Sequence, residues 1–315
     1  MSCCRLLSLC VQLPPMLLLA QEPIARVPVR IVIAPTSVTD QHGSFINGLA
    51  ASDFTLYDND IAQKVHEDAD FLPISLAVAI QDNVPIERFL PKVHQLGPLL
   101  STLVVGEGGK AAVLTFNQKV ELVQDFTSDL GRLSRAFQQI DVLYRKSHLI
   151  DATLQGIRLL EKRPAERRRI LLLISETRDE GSESKLRDAV AEAEVNNILI
   201  YSLNIARSPK EIFPGGLTLD PGALIKEIYS GLKSLVIENP LSVLTRYTGG
   251  RQYSFVKQTA FEDAVTKIGE EIHGQYLLSY SPSNIQEQGY HKIRVELARP
   301  EYTVRSRPGY YSMDN

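Results

Sequence analysis

Carboxylates gather in Ser175-Glu-Thr-Arg-Asp179 and continue through Glu180 to Glu183. Two acids on one loop can divide proton donation and acceptance, or hydrolyse a bond with the help of a captured metal. The same cluster also reads as a solvated acidic loop, with Glu180 and Glu183 near a helix N-terminus, where negative charge is favoured. Nothing else in the chain completes a catalytic set. No G-x-S-x-G elbow occurs. The three cysteines, Cys3, Cys4 and Cys10, all lie at the start, so no cysteine nucleophile, thiolate zinc site or disulfide framework follows them. The six histidines, His42, His66, His94, His148, His273 and His291, include no pair at H-x-x-x-H spacing. His148 adjoins Ser147 and reads as a loop histidine facing solvent. Gly106-Glu-Gly-Gly-Lys110 misses the phosphate-loop pattern at Val104 and Ala111, and reads as a helix-to-strand turn. Lys162, Arg163 and Arg167 to Arg169 lie between a helix end and a strand, where cations suit the helix C-terminus. The expectation is a chain that is not an enzyme.

The elements that would carry these residues are legible as alternating patterns. Ile74 to Ile80, Lys110 to Phe116, Arg169 to Ser175 and Ile198 to Leu203 are apolar runs suited to strands buried on both faces. Between them, Phe89 to Val105, Leu130 to Ile140, Leu149 to Leu160 and Ser184 to Val195 have helical spacing, and Thr127-Ser128-Asp129 is an N-cap signal. Val120 to Val123 is expected as a short edge strand. Gly222 to Ile237, Pro240 to Tyr247 and Thr259 to Ile272 also read as helices, and Arg251 to Ser254 as a last strand. Alternating strands and helices imply a doubly wound α/β sheet. Both ends of the chain are β-rich. Val27 to Ala34, closed by Pro35, and Ala62 to His66 lie at one end; Gln275 to Tyr280, Tyr290 to Leu297 and Tyr302 to Arg307 lie at the other. One small β-sandwich built from both ends, with the α/β part inserted, satisfies all of them.

Bulk properties bound the rest. A chain of 315 residues accommodates one α/β domain and a smaller β module, and its 44% hydrophobic and 23% charged content is ordinary for a globular protein. Net charge −3 and a pI near 6.1 give no reason to expect a nucleic-acid surface. In the first twenty residues Arg5 is the only charge, and the apolar stretch Leu6 to Ala20 is interrupted at Pro14 and Pro15. It reads as a signal peptide, and hence as export to a periplasm, cell envelope or medium. No later run reaches the ~20 apolar residues of a spanning helix. The division expected is 1–20 signal, 21–70 N-terminal β strands, 71–273 α/β domain with a helical insertion at about 208–247, and 274–315 C-terminal strands.

An ordered series of short segments adds a resemblance. It runs through Val38-Thr-Asp40, Leu49-Ala-Ala-Ser-Asp-Phe54, Leu56-Tyr-Asp-Asn59, Pro73-Ile-Ser-Leu-Ala-Val78, Ala112-Val-Leu-Thr-Phe116, Phe126-Thr-Ser-Asp129 and Ile150-Asp-Ala152. It continues through Arg169 to Ser175, Thr248-Gly-Gly250, Gln275 to Tyr280, Lys292-Ile-Arg-Val295 and Arg307-Pro-Gly-Tyr310. In these the chain resembles bacterial proteins of the von Willebrand factor type A (VWA) class, of the kind abundant in acidobacteria, from about Arg26 to Tyr311. The resemblance implies a Rossmann-like fold with flanking strands and a role in binding a protein partner.

It also implies a metal-ion-dependent adhesion site beyond the strand carboxyl ends, and this copy departs from that pattern. Where the family has Asp-x-Ser-x-Ser, this chain has Gln81-Asp82-Asn83-Val84-Pro85; Ser147 stands for the Thr, with Asp151 behind it, and Glu176 for the second Asp. One arrangement has Asp82 swing in to restore the lost charge, with Asn83, Ser147 and Glu176 completing a poorer site for Mg²⁺ or Mn²⁺. The other is a metal-free site held by hydrogen bonds among Gln81, Asn83, Ser147 and Glu176. In both, Gln81, Asp82, Asn83, Ser147, His148, Glu176 and Asp179 form the face offered to a partner, which the sequence does not identify. A structural subunit of an envelope or secreted assembly, docking through its β module, is the alternative. A metal-dependent enzyme built on Asp82, Glu176 and Asp179 is a second.

Overall fold

A computed structural model describes residues 31–67, 72–142, 146–205, 239–255, 259–283 and 287–312. The expected signal segment, 1–20, and 208–238 of the expected insertion lie outside the described residues.

The central sheet has six strands in the order β10-β9-β8-β5-β6-β7. They are β5 (Ile74–Gln81), β6 (Lys110–Phe116), β7 (Val120–Thr127), β8 (Arg168–Ser175), β9 (Ile198–Ile205) and β10 (Gln252–Phe255). All pairs are parallel except β6 with β7. Every residue of β5 is buried, as an unbroken apolar run between two helical layers requires. One layer packs on Leu76, Val78 and Ile80. It comprises α1 (Leu90–Val93), α2 (Leu96–Leu100), α3 (Leu130–Gln138) and α7 (Thr259–His273). The other layer, α4 (Leu149–Glu161), α5 (Leu186–Val195) and α6 (Pro240–Thr248), packs on Ala77 and Ala79. The chain runs from β5 to β6 on one side and returns to β8 on the other. The carboxyl end of β5 is therefore a topological switch point, where the connecting loops diverge and leave a crevice.

The chain ends form two four-stranded sheets, β13-β1-β11-β4 and β14-β12-β2-β3. They comprise β1 (Val32–Thr39), β2 (Phe54–Asp58), β3 (Ile61–Gln63), β4 (His66–Glu67), β11 (Tyr276–Tyr280), β12 (Gly289–Leu297), β13 (Thr303–Ser306) and β14 (Gly309–Ser312). Their inner faces share one core that includes Val32, Leu56, Leu278, Ile293 and Tyr310. At its centre the buried carboxylate of Asp58 accepts from Tyr280 at 2.9 Å and from Tyr310 at 3.0 Å, and lies 2.7 Å from Nδ1 of His291. Burial holds the Tyr280 hydroxyl well above its ordinary pKa.

Four elements differ from their sequence expectation. Pro35 lies inside β1 instead of ending it; the β13 partner begins only at Thr36, so one side of the strand is an open edge where a missing N–H is tolerated. The single helix expected over Phe89 to Val105 is four short pieces, because Pro91, Gly97 and Pro98 break the i→i−4 ladder. A Cβ on Gly97 would come within 3.0 Å of the Ser134 backbone, so that glycine also sets how closely α2 meets α3. Finally, β7 is longer than expected, and β14 was not foreseen.

Candidate functional site

The carboxyl ends of β5, β6 and β8 bring the expected residues together. Gln81 ends β5, and its side chain lies flat in the crevice, 1% exposed. Its Oε1 accepts the Glu176 N–H at 2.9 Å, and its Nε2 donates to Asn83 Oδ1 at 2.5 Å. A neutral amide carries both a donor and an acceptor, so it can join these two loops without a cation. A carboxylate at the same point could only accept. Glu176 is buried, and its carbonyl accepts from the Ser175 hydroxyl at 2.9 Å.

Asp82 is turned the other way. Its Oδ1 accepts from Asn117 Nδ2 at 2.8 Å, and its N–H donates to the Phe116 carbonyl at 3.0 Å. Burial raises its pKa, against hydrogen bonds from Asn117 and Thr115 that lower it. The swing of Asp82 into the position of the lost aspartate is thus not the arrangement found: the carboxylate is held on the β6 side. Asn117, which the sequence reading passed over, ties three loops. Besides Asp82, it accepts the Lys119 N–H on Oδ1 at 3.1 Å and the His148 N–H on its carbonyl at 2.8 Å. Its only sequence signal was an amide directly after a buried strand.

Ser147 is 2% exposed. Its carbonyl accepts from the Glu180 N–H at 2.7 Å, while its hydroxyl is buried with no partner. His148 is half-buried just before α4, not solvent-facing, with Nδ1 3.5 Å from Asp151 Oδ2. The acidic loop is likewise less free than expected. Asp179 accepts from the Ile150 N–H at 3.1 Å and from the Ser182 hydroxyl at 2.5 Å. Asp151 in return accepts from the N–H groups of Glu183 and Ser184 at 3.1 and 2.9 Å. These reciprocal caps satisfy donors at the start of α4 and fix the loop that follows β8. Burial opposes ionisation of Asp151, but its bonds to Ser184 and Glu183 and the nearby His148 outweigh it and lower the pKa.

This donor set does not suit a hard dication. Mg²⁺ requires a near-octahedral shell of oxygens. Pro85 offers none from its side chain, Asp82 is engaged by Asn117, and Asn83 Oδ1 already accepts a hydrogen bond from Gln81 Nε2. Among the described residues, no three side chains of His, Cys, Asp or Glu group so as to hold a metal ion. Around the buried floor the rim is exposed: Val84 is 48% exposed, and Arg178 and Glu180 face solvent.

No family model and no curated protein matches the chain. Solved structures do. It is similar to an aerotolerance-related membrane protein from Bacteroides fragilis (14% identity, 63% of this chain and 99% of that one, TM-score 0.41). It is similar to the conserved hypothetical protein BatB from Bacteroides thetaiotaomicron (14% identity, 63% and 98%, TM-score 0.42). It is also similar to a von Willebrand factor type A protein from Catenulispora acidiphila (11% identity, 91% and 64%, TM-score 0.48). The expected doubly wound sheet with added antiparallel strands is present in the chain's own topology. Among the described residues no helix is long and apolar enough to cross a membrane.

Proposed function

We propose that this chain is a non-catalytic VWA-type binding module that meets a protein partner through the loops after β5 and β8 and before α4, without a metal. The observation that carries this reading is the Gln81 amide. It bonds to Asn83 and to Glu176 where the family's pattern has a charged ligand, so the loops after β5 and β8 are joined by a neutral side chain. A rigid polar floor with an exposed apolar residue, Val84, and charges of both signs, Arg178 and Glu180, at its rim is suited to docking. No nucleophile–base pair supports turnover there. Export rests on the apolar leader before Gln21.

Two measurements test the reading. Calorimetric titration with Mg²⁺ and Mn²⁺ is expected to give no saturable heat for the wild type or for Glu176→Ala; saturable binding lost in that variant would restore the metal site. Val84→Arg combined with Glu180→Lys is expected to abolish capture of partner proteins that the wild type retains, while Ile61→Lys keeps them. Ile61 is 44% exposed on the outer strand of the sandwich. It favours the second reading, a structural subunit docking by its β module. The opposite pattern of losses would select that reading.

A further inference from the structure

A groove of about 600 Å³ opens where α6 and the start of β10 meet β12 and β13. It lies at the edge of the central sheet, with β9 and β8 between it and β5, and so is separate from the loop face described above. Its volume is that of a small-molecule site. Five arginines line it, Arg246, Arg251, Arg294, Arg305 and Arg307, and no carboxylate does.

Some of this charge is accounted for. Arg294 lies over the Tyr57 ring at 4.0 Å and pairs with Glu296 and Asp60. The terminal nitrogens of Arg305 are engaged by Gly250, Ser37 and Glu271. The remainder is not. Arg246 is exposed and has no ion pair among the described residues. Arg251 meets Glu271 through Nε at 3.2 Å and lies 6.0 Å from the centre of the Tyr253 ring, and its side chain, 40% exposed, lines the groove. Arg307 is 4% exposed, yet its Nε has no partner, and the Nε of Arg305 is also buried and unpartnered. Glu194 offsets part of the Arg307 charge from a distance. Buried donors are normally satisfied, and guanidinium forks match carboxylates and phosphates in geometry. Arginines from four places in the fold, with no carboxylate among the lining residues, give this groove a surplus of cationic donors suited to an anionic acceptor.

We propose that this groove binds a small oxyanion ligand, phosphate- or carboxylate-bearing, with Arg246 and Arg251 as its principal donors. The test is calorimetric titration of the full chain with inorganic pyrophosphate and with citrate, at low and at physiological ionic strength. One-site binding of at least one probe is expected. It should weaken about tenfold or more in Arg251→Gln and in Arg246→Gln, the loss of one charge-assisted bond each. Because Arg246 is exposed and unpaired, Arg246→Gln probes the site without touching Glu271, and an unchanged unfolding midpoint confirms that it folds. Binding of pyrophosphate alone supports a phosphate ligand, binding of citrate alone a carboxylate, and binding of both their shared chemistry. No saturable binding overturns the proposal. So does binding that is indifferent to both substitutions and erased by salt, which is diffuse surface charge.

Discussion

At the scale of single residues, Asp82 is the informative group. Its pKa is raised by burial, so the native state holds the proton more tightly than the unfolded chain. The stabilisation this proton gives is full at pH below the ordinary value of 3.8 and is lost as pH rises through the higher folded value. At neutral pH the ionised side chain therefore works against folding. Asp82→Asn keeps an oxygen for Asn117 Nδ2 and removes the charge. It is expected to raise the unfolding midpoint at neutral pH and to lose that advantage in acid, which urea unfolding at two pH values measures. Destabilisation at neutral pH instead would mean that the charge has a ligand, a cation above all. The sequence singled out this residue, along with Gln81, Asn83, Ser147 and Glu176, only through the resemblance, whose pattern places ligands after buried strands and, at Ser147, just before a helix. It did not reveal which way Asp82 turns. That depends on Asn117, brought alongside by parallel pairing of β5 with β6, a contact with no local sequence signal.

At the scale of elements, apolar runs and caps were legible and backbone approach was not. Asp129 caps α3 as its sequence implied, accepting the Arg132 N–H at 3.0 Å. Asn59 and Asp60, both at positive φ, turn β2 into β3. The pieces between Val84 and Val105 follow from prolines that break a ladder even where apolar spacing continues. One of them, the wide turn Ser101–Val105, presses on α7. A Cβ on Gly269 would lie 2.2 Å from the Leu103 carbonyl oxygen and 3.0 Å from its carbon. Backbone cannot rotate aside as a side-chain tip can. Gly269→Ala is therefore expected to cost about 1–3 kcal/mol, the overpacking range, despite alanine's better helix propensity. A stabilising effect in urea unfolding would mean that α7 shifts freely on this turn.

At the scale of the molecule, the question is what makes the sandwich and the α/β sheet one body. Their chain connection alone would allow relative motion. Glu271 on α7 supplies a fixed point. Its carboxylate is 0% exposed, meets Arg251 at 3.2 Å, pairs with Arg305 of β13, and accepts from the Tyr253 hydroxyl at 2.8 Å. Arg305 in turn donates to the Gly250 carbonyl at 2.8 Å, so one guanidinium clasps both units. Burial, and then the charge of Glu271, hold the Tyr253 hydroxyl above its ordinary pKa, which keeps it a donor to that carboxylate. The sequence foretold that the two ends of the chain would share a sandwich, because alternating strands need a partner surface. It could not foretell this clasp, whose members are far apart in the chain. Removing one member of a buried pair leaves the others uncompensated. Glu271→Gln preserves shape and is expected to cost about 3 kcal/mol, the lower end of that range, since both arginines are partly exposed. A double-mutant cycle with Arg305→Gln isolates the pair. Coupling above about 0.5 kcal/mol is expected. Additive losses would mean that the two units are held by their apolar contact alone, and that Glu271 serves only its own helix.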